Sequence, residues 1–191
     1  MSKYFIILGP PGSGKGTQAK RIAKKLGYFY FGTGDLMREE IDKRTLYGLE
    51  FKKAIESGKL VKDDVVAKFV GQKLKDLNIT EGIIFDGYPR TITQAEYLNN
   101  ILEEKEINNL KVINLVTSPK SLVHRMLKRS IEEKRVDDKP EVINNRIKVY
   151  EKQTKPLLEY YKEQGNLINI DGEPSIDKVW EKTQQILDDY N

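Results

Sequence analysis

The amino-acid sequence predicts an α/β fold: a five-stranded parallel sheet flanked by helices, with a small helical lobe inserted at one edge. Short, near-continuous apolar runs at 4–8, 28–31, 82–85, 112–116 and 167–170 each give way to helical periodicity. That alternation produces parallel strands covered on both faces. About fifty residues separate the second run from the third, whereas a crossover needs only about a dozen or more. The surplus chain has to form something of its own.

The elements follow in order. The run 4–8 leads into a glycine-rich turn and then into Ala19, Ile22, Ala23 and Leu26 at helical spacing. After 28–31, the segments 35–43, 48–56 and 63–74 each read as helical, punctuated by Gly34 and Gly58, and make up the expected lobe. The run 82–85 ends at Asp86, and a helix carrying Arg90 and Gln94 comes next. Beyond 112–116, Ser118 and Pro119 supply a cap and a first-turn proline for a helix with Leu122 and Met126 on one face. Residues 130–140 are almost wholly charged and lack an apolar period, so they read as a mobile surface loop. A further helix carries the stripe Val142, Arg146, Val149, Tyr150, Gln153 and Leu157. After 167–170, Ser175 caps a last helix patterned by Ile176, Val179, Trp180, Thr183, Leu187 and Tyr190.

Composition removes several function classes. With 191 residues, 38% hydrophobic and 32% charged, the chain has the size and balance of one soluble globular domain. It has no apolar run near the ~20 residues a membrane span needs, and no secretory signal pattern, so a cytoplasmic protein without membrane contact is expected. The absence of cysteine excludes disulfides, a thiolate nucleophile and a Cys-ligated zinc site. A lone histidine, His124, excludes a multi-His metal site, so no zinc is expected. Thirty-three Lys plus Arg against 29 Asp plus Glu gives a scattered net +4, too little to predict nucleic-acid binding.

The chemistry begins directly after the first strand, at Gly9-Pro10-Pro11-Gly12-Ser13-Gly14-Lys15-Gly16-Thr17. Glycines let backbone N–H groups wrap an anion, the helix N-terminus adds partial positive charge, and Lys15 adds a formal one. Strand, loop and helix together make a Walker A motif and predict a P-loop NTPase fold. Gly16 stands where Ser or Thr usually follows the lysine, with Thr17 one residue later. Mg²⁺ is therefore expected to be held by Thr17 and Asp86 largely through water. A guanine-selecting Asn-Lys-x-Asp element is absent, which argues against a GTPase.

The arginines are placed where a solvated surface does not explain them. Arg90 and Gln94 share a helix face, equipped to meet a phosphate and a base edge. Arg125 and Arg129 are like charges at i, i+4, and Arg146 lies on an apolar stripe where an unpaired cation is costly. Arg135 adds another from the charged loop, with Asp137 and Asp138 near enough to orient these groups. Lys15, Arg90, Arg125, Arg129, Arg135 and Arg146 together predict a multi-phosphate site. His124 falls on a different face and reads as a surface or packing residue.

From end to end the chain resembles the adenylate kinase family of nucleoside monophosphate kinases. The resemblance rests on Gly12-Ser-Gly-Lys15-Gly-Thr17, Thr33-Gly34-Asp35 through Arg38, Gly58-Lys59-Leu60-Val61, Asp86-Gly87-Tyr88-Pro89-Arg90 with Gln94, and Arg135-x-Asp137-Asp138 with Arg146. It implies one P-loop kinase domain over 1–191, with a core of 1–31, 62–127 and 139–191, a monophosphate-binding lobe at 32–61 and a short lid at 128–138. It implies reversible Mg²⁺-dependent transfer between ATP and AMP, giving two ADP, in a monomer; a UMP/CMP or broad-specificity kinase is the alternative. A nucleotide-binding regulatory module would have little use for the acceptor-side arginines. Position by position, the resemblance puts Gly12, Ser13, Gly14, Lys15, Gly16, Thr17, Arg125, Arg129 and Pro174 on ATP. It puts Thr33, Arg38, Lys59, Leu60, Val61, Gly87, Tyr88, Pro89, Arg90, Gln94, Arg135 and Arg146 on AMP. Lys15, Arg90, Arg129, Arg135 and Arg146 become the catalytic set. Ser130 and Lys134 depart from the short-lid pattern, which often has glycine there.

Overall fold

The computed structural model describes residues 4–77, 82–104, 107, 109–133 and 136–189. The strands β1 (Tyr4–Leu8), β2 (Phe29–Gly32), β3 (Ile83–Asp86), β4 (Leu110–Val116) and β5 (Leu167–Asp171) form one sheet in the order β2-β3-β1-β4-β5. Every neighbouring pair is parallel. The expected five-stranded α/β fold is present, with strand ends displaced by one or two residues.

β1 lies at the centre and is buried along its whole length. Its side chains alternate between two cores, as period-2 geometry requires. Phe5 and Ile7 pack with Ala19 and Ile22 of α1 (Lys15–Leu26) and with Val179 and Leu187 of α9 (Ile176–Asp189). Tyr4, Ile6 and Leu8 face the other layer, with Phe69 and Val70 of α4 (Asp63–Asp76), Leu98 of α5 (Ile92–Glu104) and Tyr161 of α8 (Pro156–Glu163). A strand apolar on both faces therefore marks the middle of the sandwich. Its carboxyl end is where the glycine loop begins.

The insertion is helical, with two shifts from expectation. α2 (Thr33–Asp42) starts early enough that Gly34 lies in its first turn instead of preceding it. α3 (Leu46–Ser57) also starts early, because the Thr45 hydroxyl accepts the Gly48 N–H at 3.1 Å and caps it. In α9, Val179, Thr183 and Leu187 are buried but Ile176 is exposed; Tyr190 lies outside the described residues.

Two stretches correct the sequence reading. The described part of 130–140 is not an irregular loop: α6 (Pro119–Glu132) continues into it, a 3₁₀ turn spans Val136–Asp138, and Pro140 opens α7 (Pro140–Val149). Asp137 and Asp138 are buried there, because arginines from both helices neutralise them. Lys134 and Arg135 lie outside the described residues. The stripe after Arg146 also slips, since Tyr150–Thr154 form a π turn in which the Lys155 N–H reaches Tyr150 O. The wider turn makes room before Pro156, whose ring a regular helix would drive against the preceding turn. It shifts the phase by one residue, so Gln153 is exposed and Thr154 is buried.

Candidate active site

β1 delivers the chain into a loop whose glycines 9, 12 and 14 all have positive φ. At Gly12 a Cβ would lie 2.8 Å from Leu122 O and 3.0 Å from Met126 Cγ, so the loop is pressed against α6. Gly14 caps α1 without a side chain over the helix end, which leaves the first-turn N–H groups turned to an incoming anion. The Lys15 ammonium donates to Pro10 O at 3.0 Å. The Ser13 hydroxyl is buried and has no partner among the described residues.

A cleft opens beside this loop at the carboxyl ends of the strands, where ligands of open α/β sheets bind. Lys15, Thr33, Arg38, Arg90, Gln94 and Arg146 all line it, as do Gly87, Pro89 and residues 58–61. Thr33 Oγ1 is buried there without a partner among the described residues. Gly58 has φ +65°, and a Cβ on it would sit 2.8 Å from Val142 Cγ1 and 2.9 Å from Arg146 Cγ. Only glycine lets the lobe come this close to α7. Gly58→Ala should therefore lower stability by about 2 kcal/mol or more, combining left-handed strain with overlap. Thermal denaturation should show a fall of roughly 4 °C or more for a chain this size.

The cations are organised by two buried carboxylates. Asp138 receives Arg129 in a bidentate pair, Nε at 2.6 Å and Nη2 at 3.0 Å, and also accepts from Arg146 Nη1. Arg146 further reaches Asp137 Oδ2 at 2.9 Å. Arg90 Nε is held by Gly87 O at 2.8 Å, and Arg38 pairs with Asp35 across one helical turn. Burial pulls the Lys15 pKa down to about 7; the Asp86 carboxylate opposes this, and Arg90, Arg129 and Arg146 add repulsion. Burial likewise pulls Arg146 down to about 10 against the attraction of Asp137 and Asp138. In both, the cost of taking a cation out of water outweighs the attraction of the nearby carboxylates.

Asp86 stands at the end of β3, where its Oδ2 accepts the Tyr30 hydroxyl at 2.9 Å. A Cβ at position 16 would approach the same oxygen to 3.1 Å and crowd the Asp86 carboxylate. Thr17 is exposed in the first turn of α1. Tyr88 turns its ring into the core and donates to Gln94 O at 3.1 Å, so its side chain does not enter the cleft. Arg125 lies apart from Arg129: its guanidinium donates to Gly172 O and Glu173 O, each at 2.9 Å, beside Pro174. His124 is exposed.

Some participants escaped the sequence reading. Glu173 accepts from the Ser118 N–H and, at 2.6 Å, from the Ser121 hydroxyl; these bonds hold its carboxyl down at about 2 and pin the loop after β5 to the start of α6. Thr154 donates to Arg90 O at 2.9 Å, and Asp63 accepts from Gln94 Nε2 at 2.8 Å. None had a motif to announce it; Tyr30, which donates to Asp86, was also missed, though the strand alternation at 28–31 turns it away from Phe31.

A parallel sheet whose first strand feeds a glycine loop and a helix, with a basic cleft at its carboxyl edge, defines a P-loop protein. The family model described as adenylate kinase matches residues 7–166. A protein named adenylate kinase from Pseudarthrobacter chlorophenolicus is 40% identical over 183 residues, covering 96% of this chain and 95% of its own. Another with that name from Methylobacterium radiotolerans is 39% identical over 192 residues, covering 97% and 96%. A third from Corynebacterium glutamicum is 40% identical over 183 residues, covering 96% and 98%. The chain belongs to the adenylate kinase family of phosphotransferases. No helix among the described residues is long and apolar enough to cross a membrane, and no group of three or more His, Cys, Asp or Glu among them could hold a metal ion.

Proposed function

We propose that the protein catalyses reversible, Mg²⁺-dependent transfer of a phosphoryl group from ATP to AMP, giving two ADP. One observation carries this reading: Lys15 of the glycine loop meets Arg38, Arg90 and Arg146 in a single cleft. Such a transfer passes through a loose transition state that needs alignment and charge neutralisation more than covalent chemistry. Arg129, tied to Arg146 through Asp138, would complete the donor side, with residues 12–17 around the ATP phosphates. The attacking atom is a phosphate oxygen, largely ionised above a second pKa of about 6, so no side chain has to remove a proton. Arg135, which lies outside the described residues, would join Arg146 on the group in flight.

The residues present suit Mg²⁺ held mostly by water and substrate phosphate, the way this ion is usually bound. Asp86 offers a single carboxylate, oriented by Tyr30, and Thr17 a hydroxyl on the facing helix turn. Bound with ATP, the ion supplies charge neutralisation at the phosphates. The ATP base would stack on Arg125 near the Pro174 carbonyl. The AMP base would enter between Thr33, the backbone of Lys59, Leu60 and Val61, and Gln94, with Gly87, Tyr88 and Pro89 contributing main chain.

In this account segment 32–61 closes over AMP and segment 128–138 over ATP, against a core of 1–31, 62–127 and 139–191. Closure excludes water, which would otherwise accept the phosphoryl group. The enzyme would act as a cytoplasmic monomer. Product analysis tests the reaction: ATP, AMP and Mg²⁺ should give two ADP for each ATP consumed, with negligible inorganic phosphate. Phosphate release without AMP consumption would contradict it.

A further inference from the structure

We propose that Asp63 is a positioning residue that fixes the polarity of the Gln94 amide and, through it, the choice of acceptor base; this rests on Gln94 reading that base. Gln94 is 3% exposed and lines the cleft. Its Nε2 donates to Asp63 Oδ1 at 2.8 Å, and its Oε1 accepts the Arg90 backbone N–H, also at 2.8 Å. A carboxylate only accepts and a backbone N–H only donates, so the two contacts act together to decide which end of the amide is nitrogen.

An amide has two N–H donors and two carbonyl lone pairs. One of each is committed, and one of each remains for a ligand. Adenine presents an amino donor beside a ring-nitrogen acceptor, which matches that remainder. Guanine presents a carbonyl beside a ring N–H, the inverse order. A flipped amide would suit guanine, but it would set its NH₂ against the Arg90 N–H and its carbonyl against Asp63. Both contacts would then repel.

Asp63 is well placed for this role. It opens α4 two residues after Val61, so it ties the base-lining segment to α5 while it orients the amide. The other reading is a purely local one, an acidic residue favouring the N-terminus of α4. Asp64 stands in the same first turn and would preserve that effect in an Asp63 variant.

Steady-state rates with varied AMP and GMP at saturating Mg·ATP separate the two. Asp63→Asn should raise KM for AMP about tenfold with kcat within about twofold, and narrow the AMP-over-GMP preference by a similar factor. Asp63→Glu, still acceptor-only, should keep more of that preference than Asp63→Asn; the reverse order contradicts the proposal. In a Gln94→Ala background, Asp63→Asn should add nothing to KM for AMP. An equal rise in that background, or an unchanged preference in Asp63→Asn alone, overturns the proposal. If Gln94→Ala raises KM for AMP and Asp63→Asn does not, only the role of Asp63 fails. If Gln94→Ala leaves KM for AMP unchanged, the base-reading assignment fails, and the role of Asp63 with it.

Discussion

Replacing Lys15 by alanine is expected to lower kcat by about three orders of magnitude or more, while Kd for ATP rises by no more than about tenfold. The ammonium lies at the mouth of the glycine loop, bonded to Pro10 O at 3.0 Å. Backbone N–H groups and the α1 terminus still bind phosphate without it, so ground-state affinity is shared among many donors. The charge that moves during transfer has fewer partners. Burial and the neighbouring arginines already bring the Lys15 pKa to about 7 against the pull of Asp86, and a nucleotide's phosphates are the anion that environment lacks. Stopped-flow binding and initial rates on one preparation check the split. A variant with kcat near wild type removes the phosphate-loop assignment.

The second large effect is expected at Arg146. Arg146→Ala should cost about 10³ in kcat, within the range for an arginine that stabilises a transferring phosphoryl group. Its effect on the fold should be small. Asp138 loses one guanidinium but keeps the bidentate pair with Arg129, and Asp137 loses its ion pair with Arg146. Breaking a fully buried pair costs about 3–5 kcal/mol; with Arg129 still in place and the Arg146 side chain 15% exposed, a loss of about 1–2 kcal/mol is expected. Desolvation of this cation also raises the free-state energy, and burial lowers the Arg146 pKa to about 10. Urea denaturation paired with initial rates tests this. Large destabilisation with kcat retained would make Arg146 a structural residue.

What was legible in the sequence was mostly local. The glycine loop spans one contiguous stretch, and strands buried on both faces announce themselves as unbroken apolar runs; β1 has no exposed residue. What was not legible depended on distant partners. The arginines were visible as misplaced charges, but the pairing of Arg129 and Arg146 through Asp138 draws on α6, a 3₁₀ turn and α7. The same carboxylates made 130–140 look like a solvated loop, because composition does not distinguish a charge in water from one bound by guanidinium. Arg125 and Arg129 share a helix face as the spacing implies, yet carbonyls 47 and 48 residues further along claim Arg125. The π turn had only Pro156 as a sign, and apolar spacing alone carried the stripe straight through it to Gln153. Asp63 was only the first residue of the segment 63–74, and its amide partner lies 31 residues further along.

The most direct test of the central claim is kcat/KM for AMP, GMP, CMP and UMP as acceptors at fixed Mg·ATP. A cleft-lining amide with one N–H and one carbonyl lone pair left uncommitted should prefer AMP strongly, since sites that hydrogen-bond a substrate can discriminate by ~10⁴ or more. A pyrimidine would underfill the space between Thr33 and residues 59–61, and guanine would face mismatched polar groups. AMP should exceed each of the other three by at least about a hundredfold. UMP or CMP turning over as efficiently as AMP would contradict the adenylate assignment while leaving phosphoryl transfer to a nucleoside monophosphate intact.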